Sequence, residues 1–208
     1  MQRYNLTTRI WIGMVLAASI AITIVRLQPH GVTGPELAAL ASLALGAAIA
    51  SAFPIRSASG GAVYHLTGIF FVAGALILRP AFCTLLPILA LTPDTWRGRH
   101  RPGAMVRWTF NIAQTVVAMH VTGMWFDWMG GGQIGDPRGL VALLGASLLF
   151  TFAQAVLVGA IISGFTIPGR HDTHISTALE GIPGALIGMA IIYAIGLRKQ
   201  RQAARPRP

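Results

Sequence analysis

The feature that most constrains this chain is a series of seven apolar segments, at 10–25, 37–53, 66–78, 81–91, 109–125, 140–165 and 178–197, separated by polar stretches. A helix needs about 20 apolar residues to cross about 30 Å of hydrocarbon. Four or five of the segments meet that length, whereas the third and fourth, divided by Arg79 and Pro80, are short. Those two read as two thin helices, a re-entrant pair, or one broken span. Backbone polar groups in hydrocarbon must be satisfied internally. The segments lack the roughly ten-residue polar/apolar alternation of an outer-membrane barrel. The expected fold is therefore all-α, a polytopic transmembrane helical bundle of about 6–7 spans over residues 1–197, with a flexible basic tail at 198–208.

Composition supports this reading. Hydrophobic residues make up 54% of the 208 and charged residues 11%, against roughly a quarter charged in soluble domains, so no stretch is left for a separate soluble domain. Lys and Arg number 16 against 6 Asp and Glu, a formal net charge of +10. A basic excess of that size serves nucleic acid, anionic lipid or membrane topology. Every Lys or Arg lies at or beyond the edge of an apolar segment, and no basic stretch is interleaved with aromatics. Topology and lipid are the expected roles, and nucleic acid is not an expected partner. The single Cys83 forms no CxxC pair and no disulfide framework. The opening MQRYNLTTRIWIGMVLAASIAITIV has the order of a signal sequence, but Arg26-Leu-Gln-Pro-His follows without a small-x-small cleavage site. A retained first span is expected.

The positive charges set two demands that conflict. Arg97, Arg99, Arg101 and Arg107 cluster in one loop, and Arg198, Lys199, Arg201, Arg205 and Arg207 in the tail. Both clusters ask to be cytoplasmic, yet three apolar segments lie between them. Seven spans with Arg3 and Arg9 inside put the Arg loop inside, the loop with Asp127 and Asp136 outside, and the tail outside. Merging the third and fourth segments reverses loop and tail. Small residues recur every fourth position at Gly13, Ala17 and Ala21, at Ala38, Ser42, Gly46 and Ala50, and at Gly184 and Gly188. Such spacing permits close helix contact, expected within one bundle rather than at a dimer seam.

Ionisable or strongly polar side chains at membrane depth are the natural candidates for function. His120 lies mid-segment and, at about 100° per residue, falls opposite Asn111. It fits a proton relay, a tetrapyrrole axial ligand, or an imidazole hydrogen-bonded to a neighbouring helix. Asn111 and Gln114 share a face and fit interhelical hydrogen bonding or a polar ligand pocket. Glu180 opens the last segment near Gly181 and Pro183, where a carboxylate suits a helix N-terminus. His171, Asp172 and His174 would hold a metal only with further ligands, so no metal site is expected. Arg97, Arg99, Arg101, Arg198, Lys199 and Arg201 are the expected lipid or partner contacts. The chain has no G-x-S-G with a partner His, no H-E-x-x-H, no Glu pair with a helical His and no Walker loop. It is not expected to be an enzyme, and no cofactor is required.

From residue 53 the order of features is more specific. FPIRSASGGAVYHLTGIFFVAGALILRP is followed by an apolar stretch ending at Asp94, the Arg97-to-Arg101 loop, the Phe110-Asn111-x-Ala113-Gln114 start of a segment, and Gly130-Gly131-Gly132. Over residues 37–165 this resembles the N-terminal multi-span membrane sensor region of bacterial cyclic-di-GMP signalling proteins with GGDEF or HD-GYP output domains. The chain departs from that pattern at TFAQAVLVG, where Gln154 stands in place of an Asn. The residues after Leu197, RKQRQAARPRP, are too short and too rich in Pro and Arg to fold, so no output domain is expected.

The resemblance implies a multi-pass protein of the bacterial inner membrane that acts as a non-enzymatic sensor-like or scaffold module through partner proteins, holding a small apolar or amphiphilic ligand near Asn111 and Gln114. A second reading is an accessory subunit of a respiratory or photosynthetic complex, with a tetrapyrrole at His120. A third is the substrate-binding component of a transporter, for which Pro80, Pro87 and Pro183 supply interrupted helices.

Overall fold

The computed structural model of the chain describes residues 6–27, 31–53, 55–56, 63–64, 66–97, 99–100, 103–130 and 136–164. Six helices account for nearly all of them: α1 (Leu6–Arg26), α2 (Gly34–Ala52), α3 (Thr67–Ile77), α4 (Pro80–Arg97), α5 (Ala104–Trp128) and α6 (Pro137–Gly164). Between α2 and α3 a two-residue antiparallel ladder pairs Ile55 with Tyr64 and Arg56 with Val63. Segment 178–197 and the tail lie outside the described residues, as do Glu180, His171, Asp172, His174, Arg101, Arg198, Lys199 and Arg201.

Local sequence explains where the helices begin and end. The Glu36 carboxylate accepts from both the backbone N–H and the hydroxyl of Thr33, at 3.0 and 2.8 Å, at the start of α2. Pro80 opens α4, where its missing N–H costs nothing, and the Arg79 carbonyl accepts from the N–H groups of Phe82 and Cys83. Asp136 precedes Pro137 and accepts from the Arg138 N–H at 3.3 Å, capping α6. Gly103 at φ 72° and Gly130 at φ 89° occupy the left-handed region on either side of α5, a conformation that favours glycine.

The third and fourth apolar segments are two helices, α3 and α4, joined by a tight corner at Leu78 and Arg79. With this corner in place, consecutive helices alternate in direction. Trp11 of α1 donates its indole N–H to the Leu157 carbonyl at 3.2 Å. At the other end of α1, Arg26 reaches Asp127 of α5 at 3.0 Å. The α1 start, the α4 end and the α5 start therefore share one end of the bundle. The α1–α2 connection, the α3–α4 corner and the α5 end share the other, where Arg79 pairs with Glu36 and donates to the Gly31 carbonyl at 3.3 Å.

Helix α5 is central, packing against α1, α3, α4 and α6, while α2 packs on α3 and α4. Leu40, Ala44 and Ala47 of α2, Phe71, Val72 and Ala75 of α3, Cys83, Leu86 and Ala90 of α4, Ala118 and Met119 of α5, and Phe150 of α6 form the main core. Polarity is distributed in the reverse of a soluble bundle. Ten residues of α5 are buried, among them Gln114, Thr115, His120 and Thr122. The outer helices meanwhile expose Ile10, Met14, Ile20, Ile24, Leu45, Ile49, Val141, Leu148, Phe152 and Val156. Three of these helices, Leu6–Arg26, Gly34–Ala52 and Pro137–Val158, are long and apolar enough to cross a membrane.

The small-residue pattern divides between two uses. Gly46 lies under the Phe70 ring, packing α2 on α3. Gly13, Ala17 and Ala21 instead face outward from α1, and a Cβ on Gly13 would meet nothing within 4 Å. Contact within the described bundle thus accounts for Gly46 and does not account for the α1 stripe.

Candidate functional site

The buried polar groups of α5 fall on two opposite faces. Gln114, Thr115, Thr122 and Trp125 lie within about 100° of one another at helical spacing, on the face that meets α6. Across this seam Gln154 donates from Nε2 to Thr115 Oγ1 at 3.2 Å, and the Thr115 hydroxyl donates to the Asn111 carbonyl at 2.7 Å. Close approach is secured by Gly145 of α6, where a Cβ would lie 2.6 Å from Trp125 Nε1. Ser147 of α6 is also buried in this region.

Not all of these groups are satisfied. Gln114, 6% exposed, donates from Nε2 to Asn111 Oδ1 at 3.5 Å, but its Oε1 has no partner among the described residues. Thr122 Oγ1 and Trp125 Nε1 are in the same position. A buried polar atom left unmatched costs about 1–3 kcal/mol. The seam therefore offers both acceptors and donors to a polar molecule that entered it. Asn111 itself is exposed, so of the expected Asn111 and Gln114 pair only Gln114 points into the interior.

His120 occupies the opposite face and is 1% exposed. Its Nδ1 lies 2.9 Å from the Val116 carbonyl, four residues back on the same helix. A carbonyl accepts only, so Nδ1 carries the proton and Nε2 is left as a lone-pair acceptor. That Nε2 has no partner among the described residues. The expected opposition of His120 and Asn111 holds in the structure, and the two do not share a site.

Beside His120 the guanidinium of Arg26 closes the corner between α1 and α5. It donates to the His120 carbonyl at 3.3 Å and to Asp127 Oδ2 at 3.0 Å. Gly123 makes room for α3 here: a Cβ there would sit 2.9 Å from the Ala75 carbonyl, while its 3.6 Å from Arg26 Nη1 would be an ordinary contact. One turn nearer the middle of α1, the Thr23 and Thr84 hydroxyls pair at 3.0 Å, tying α1 to α4. The Cys83 thiol is buried and directed at the Gly74 and Leu78 carbonyls, 3.7 Å from each. Among the described residues no three His, Cys, Asp or Glu side chains group as a metal site.

At the basic end, the Arg99 guanidinium lies 4.4 Å from the centroid of the Trp96 ring. Arg97 closes α4, and Arg9 and Arg107 are exposed at this same end.

Sequence reasoning missed Arg26, Thr115 and Asp127 as structural partners. Thr115 carried no sign, since threonine is common in apolar helices. Arg26 and Asp127 are 101 positions apart, and each stands at a segment edge where a charge is ordinary. The chain matches no protein family, no curated relative and no solved structure.

Proposed function

We propose that this protein is a multi-pass helical bundle of the bacterial inner membrane, a non-enzymatic sensor-like module that acts through partner proteins. Its ligand element is the α5–α6 seam. The observation that carries the reading is the inverted polarity: the helix richest in buried polar groups is enclosed, and the apolar helices face outward. Such a distribution is stable where the surroundings are hydrocarbon. The six described helices and segment 178–197 then give about 6–7 spans. Helix α3, with 11 residues, is shorter than a full crossing. Within the seam, Gln114 Oε1 and Thr122 Oγ1 fit a small amphiphile with a hydroxyl or amide head.

Affinity purification from native membranes in mild detergent, with mass spectrometry of both protein and organic-solvent extracts, tests this. Recovery of a signalling partner and a small amphiphile that is lost in the Gln114→Leu variant is the expected result. A solitary protein with no extractable ligand would overturn the sensor reading.

A second reading has its own observation. Nδ1 held by a backbone carbonyl, with Nε2 left as a bare acceptor, is the arrangement that orients an axial histidine. It supports an accessory subunit with a tetrapyrrole at His120, and the residues that leave His120 1% exposed would have to part to admit the macrocycle. A Soret band that disappears in the His120→Leu variant would favour it.

A further inference from the structure

The two ends of the bundle handle their arginines differently. At the end holding the α3–α4 corner, Arg26 pairs with Asp127 and Arg79 pairs with Glu36. These two cations are consumed by carboxylates of the same chain, whereas Arg138 at this end is exposed and has no ion pair among the described residues. At the opposite end Arg9, Arg99 and Arg107 are exposed and have no ion pair among the described residues. Arg99 stacks on Trp96, itself 68% exposed. A guanidinium resting on an indole face keeps its N–H donors directed outward in the plane of the group. On α5, between Gly103 and Arg107, Met105 and Val106 are exposed and apolar.

We infer that Trp96, Arg99 and Arg107 form a binding site for the headgroup of an anionic phospholipid, with Trp96, Met105 and Val106 against its acyl chains. Each component matches one part of such a lipid. Arginine meets a phosphate in a two-point hydrogen-bonded fork, indole rings settle at the headgroup level of a bilayer, and the exposed apolar side chains of Met105 and Val106 stand at the same end of the bundle. At the other end Arg26 and Arg79 are paired with carboxylates, and Arg138, exposed and without an ion pair, has no aromatic platform among the described residues. The inference rests on the bilayer reading above and adds to it a lipid class and the end at which it binds.

Titration of the purified full chain with phosphatidylglycerol and with phosphatidylcholine, followed by native mass spectrometry, tests the site. Phosphatidylglycerol is expected to bind at least tenfold more tightly, and Arg99→Gln and Arg107→Gln are each expected to reduce that preference about fivefold. Arg99→Lys should retain more of the preference than Arg99→Gln. If one of the two glutamine variants fails to elute as a folded species, the other carries the test. Equal binding of both lipids, or a preference untouched by either substitution, overturns the site. Displacement of phosphatidylglycerol by millimolar inorganic phosphate would make it a free-anion site. Capture of an acidic protein through the same arginines without lipid preference would make it a protein interface, and either result overturns the lipid assignment. Extraction of the native membranes with alkaline carbonate separates the two levels of failure. A chain released into the supernatant refutes the bilayer reading, whereas a retained chain without lipid preference refutes the site alone.

Discussion

Replacing Gly123 by alanine inserts a methyl group where α5 meets the Ala75 backbone of α3. The added Cβ would lie 2.9 Å from the backbone carbonyl of Ala75, against about 3.3–3.6 Å for a relaxed carbon–oxygen contact. The obstacle is main chain, so relief requires the two helices to separate by about 0.5 Å. Overpacking of this kind costs about 1–3 kcal/mol, and alanine returns about 0.5–1 kcal/mol through its better helix propensity. The net loss, centred on about 1 kcal/mol within a range of about 0–2.5 kcal/mol, corresponds to a melting point about 2–4 °C lower for a chain of this size. Gly13→Ala is the matched control, because nothing stands within 4 Å of the new methyl. It should leave stability unchanged or raise it by up to about 1 kcal/mol. Thermal unfolding of both variants in the same detergent, followed by the far-ultraviolet helical signal, measures the difference. A Gly123→Ala variant that gains as much stability as Gly13→Ala, or a Gly13→Ala variant that loses as much as Gly123→Ala, would refute the close α3–α5 approach.

Four further outcomes follow from the same contacts. Gln154→Leu removes the bond to Thr115 and should cost about 0.6 kcal/mol, the average for such a bond between membrane helices, in the same melting assay. A double-mutant cycle on Arg26 and Asp127 should give a coupling below about 1 kcal/mol that weakens with salt, because the Asp127 side chain is 67% exposed. Coupling that persists undiminished in high salt would contradict that exposure. His120→Leu, in protein stripped of any ligand, should be neutral or stabilising, since it replaces an unmatched buried acceptor with hydrocarbon; a loss above about 1 kcal/mol would reveal a partner for Nε2. In a Cys83→Ala background, thiol labelling should reach the Arg9→Cys and Arg99→Cys variants from one side of the membrane and the Gly31→Cys variant from the other.

The helical class and the positions of α1, α2 and α6 are legible from apolar length, because a helix that faces hydrocarbon must be apolar along its whole exposed surface. The limits of α4 and α5 are not. Helix α5 starts at Ala104, five residues before the apolar run at Thr109, since Arg107 lies on an exposed side where charge is tolerated. Helix α4 continues through Pro93 to Arg97, past the last strongly apolar residue. The corner at Arg79 illustrates the same limit differently. An arginine and a proline between two short apolar runs fit several topologies, and the one adopted is tied by Glu36 and Gly31, more than 40 positions away. His120 and Gln114 were visible as candidates because polar side chains stand out in an apolar run. Arg26 and Thr115 were not, since their roles exist only once α1, α5 and α6 are side by side.

The position of α5 has a mechanical consequence. A helix packed against four neighbours cannot tilt or turn without disturbing each of them. A molecule wedged into the seam beside Gln114 would press α5 toward its opposite side, where the His120 carbonyl and the Asp127 carboxylate meet the Arg26 guanidinium. Strain entering on one side of this shaft would thus be felt at the bond between α1 and α5.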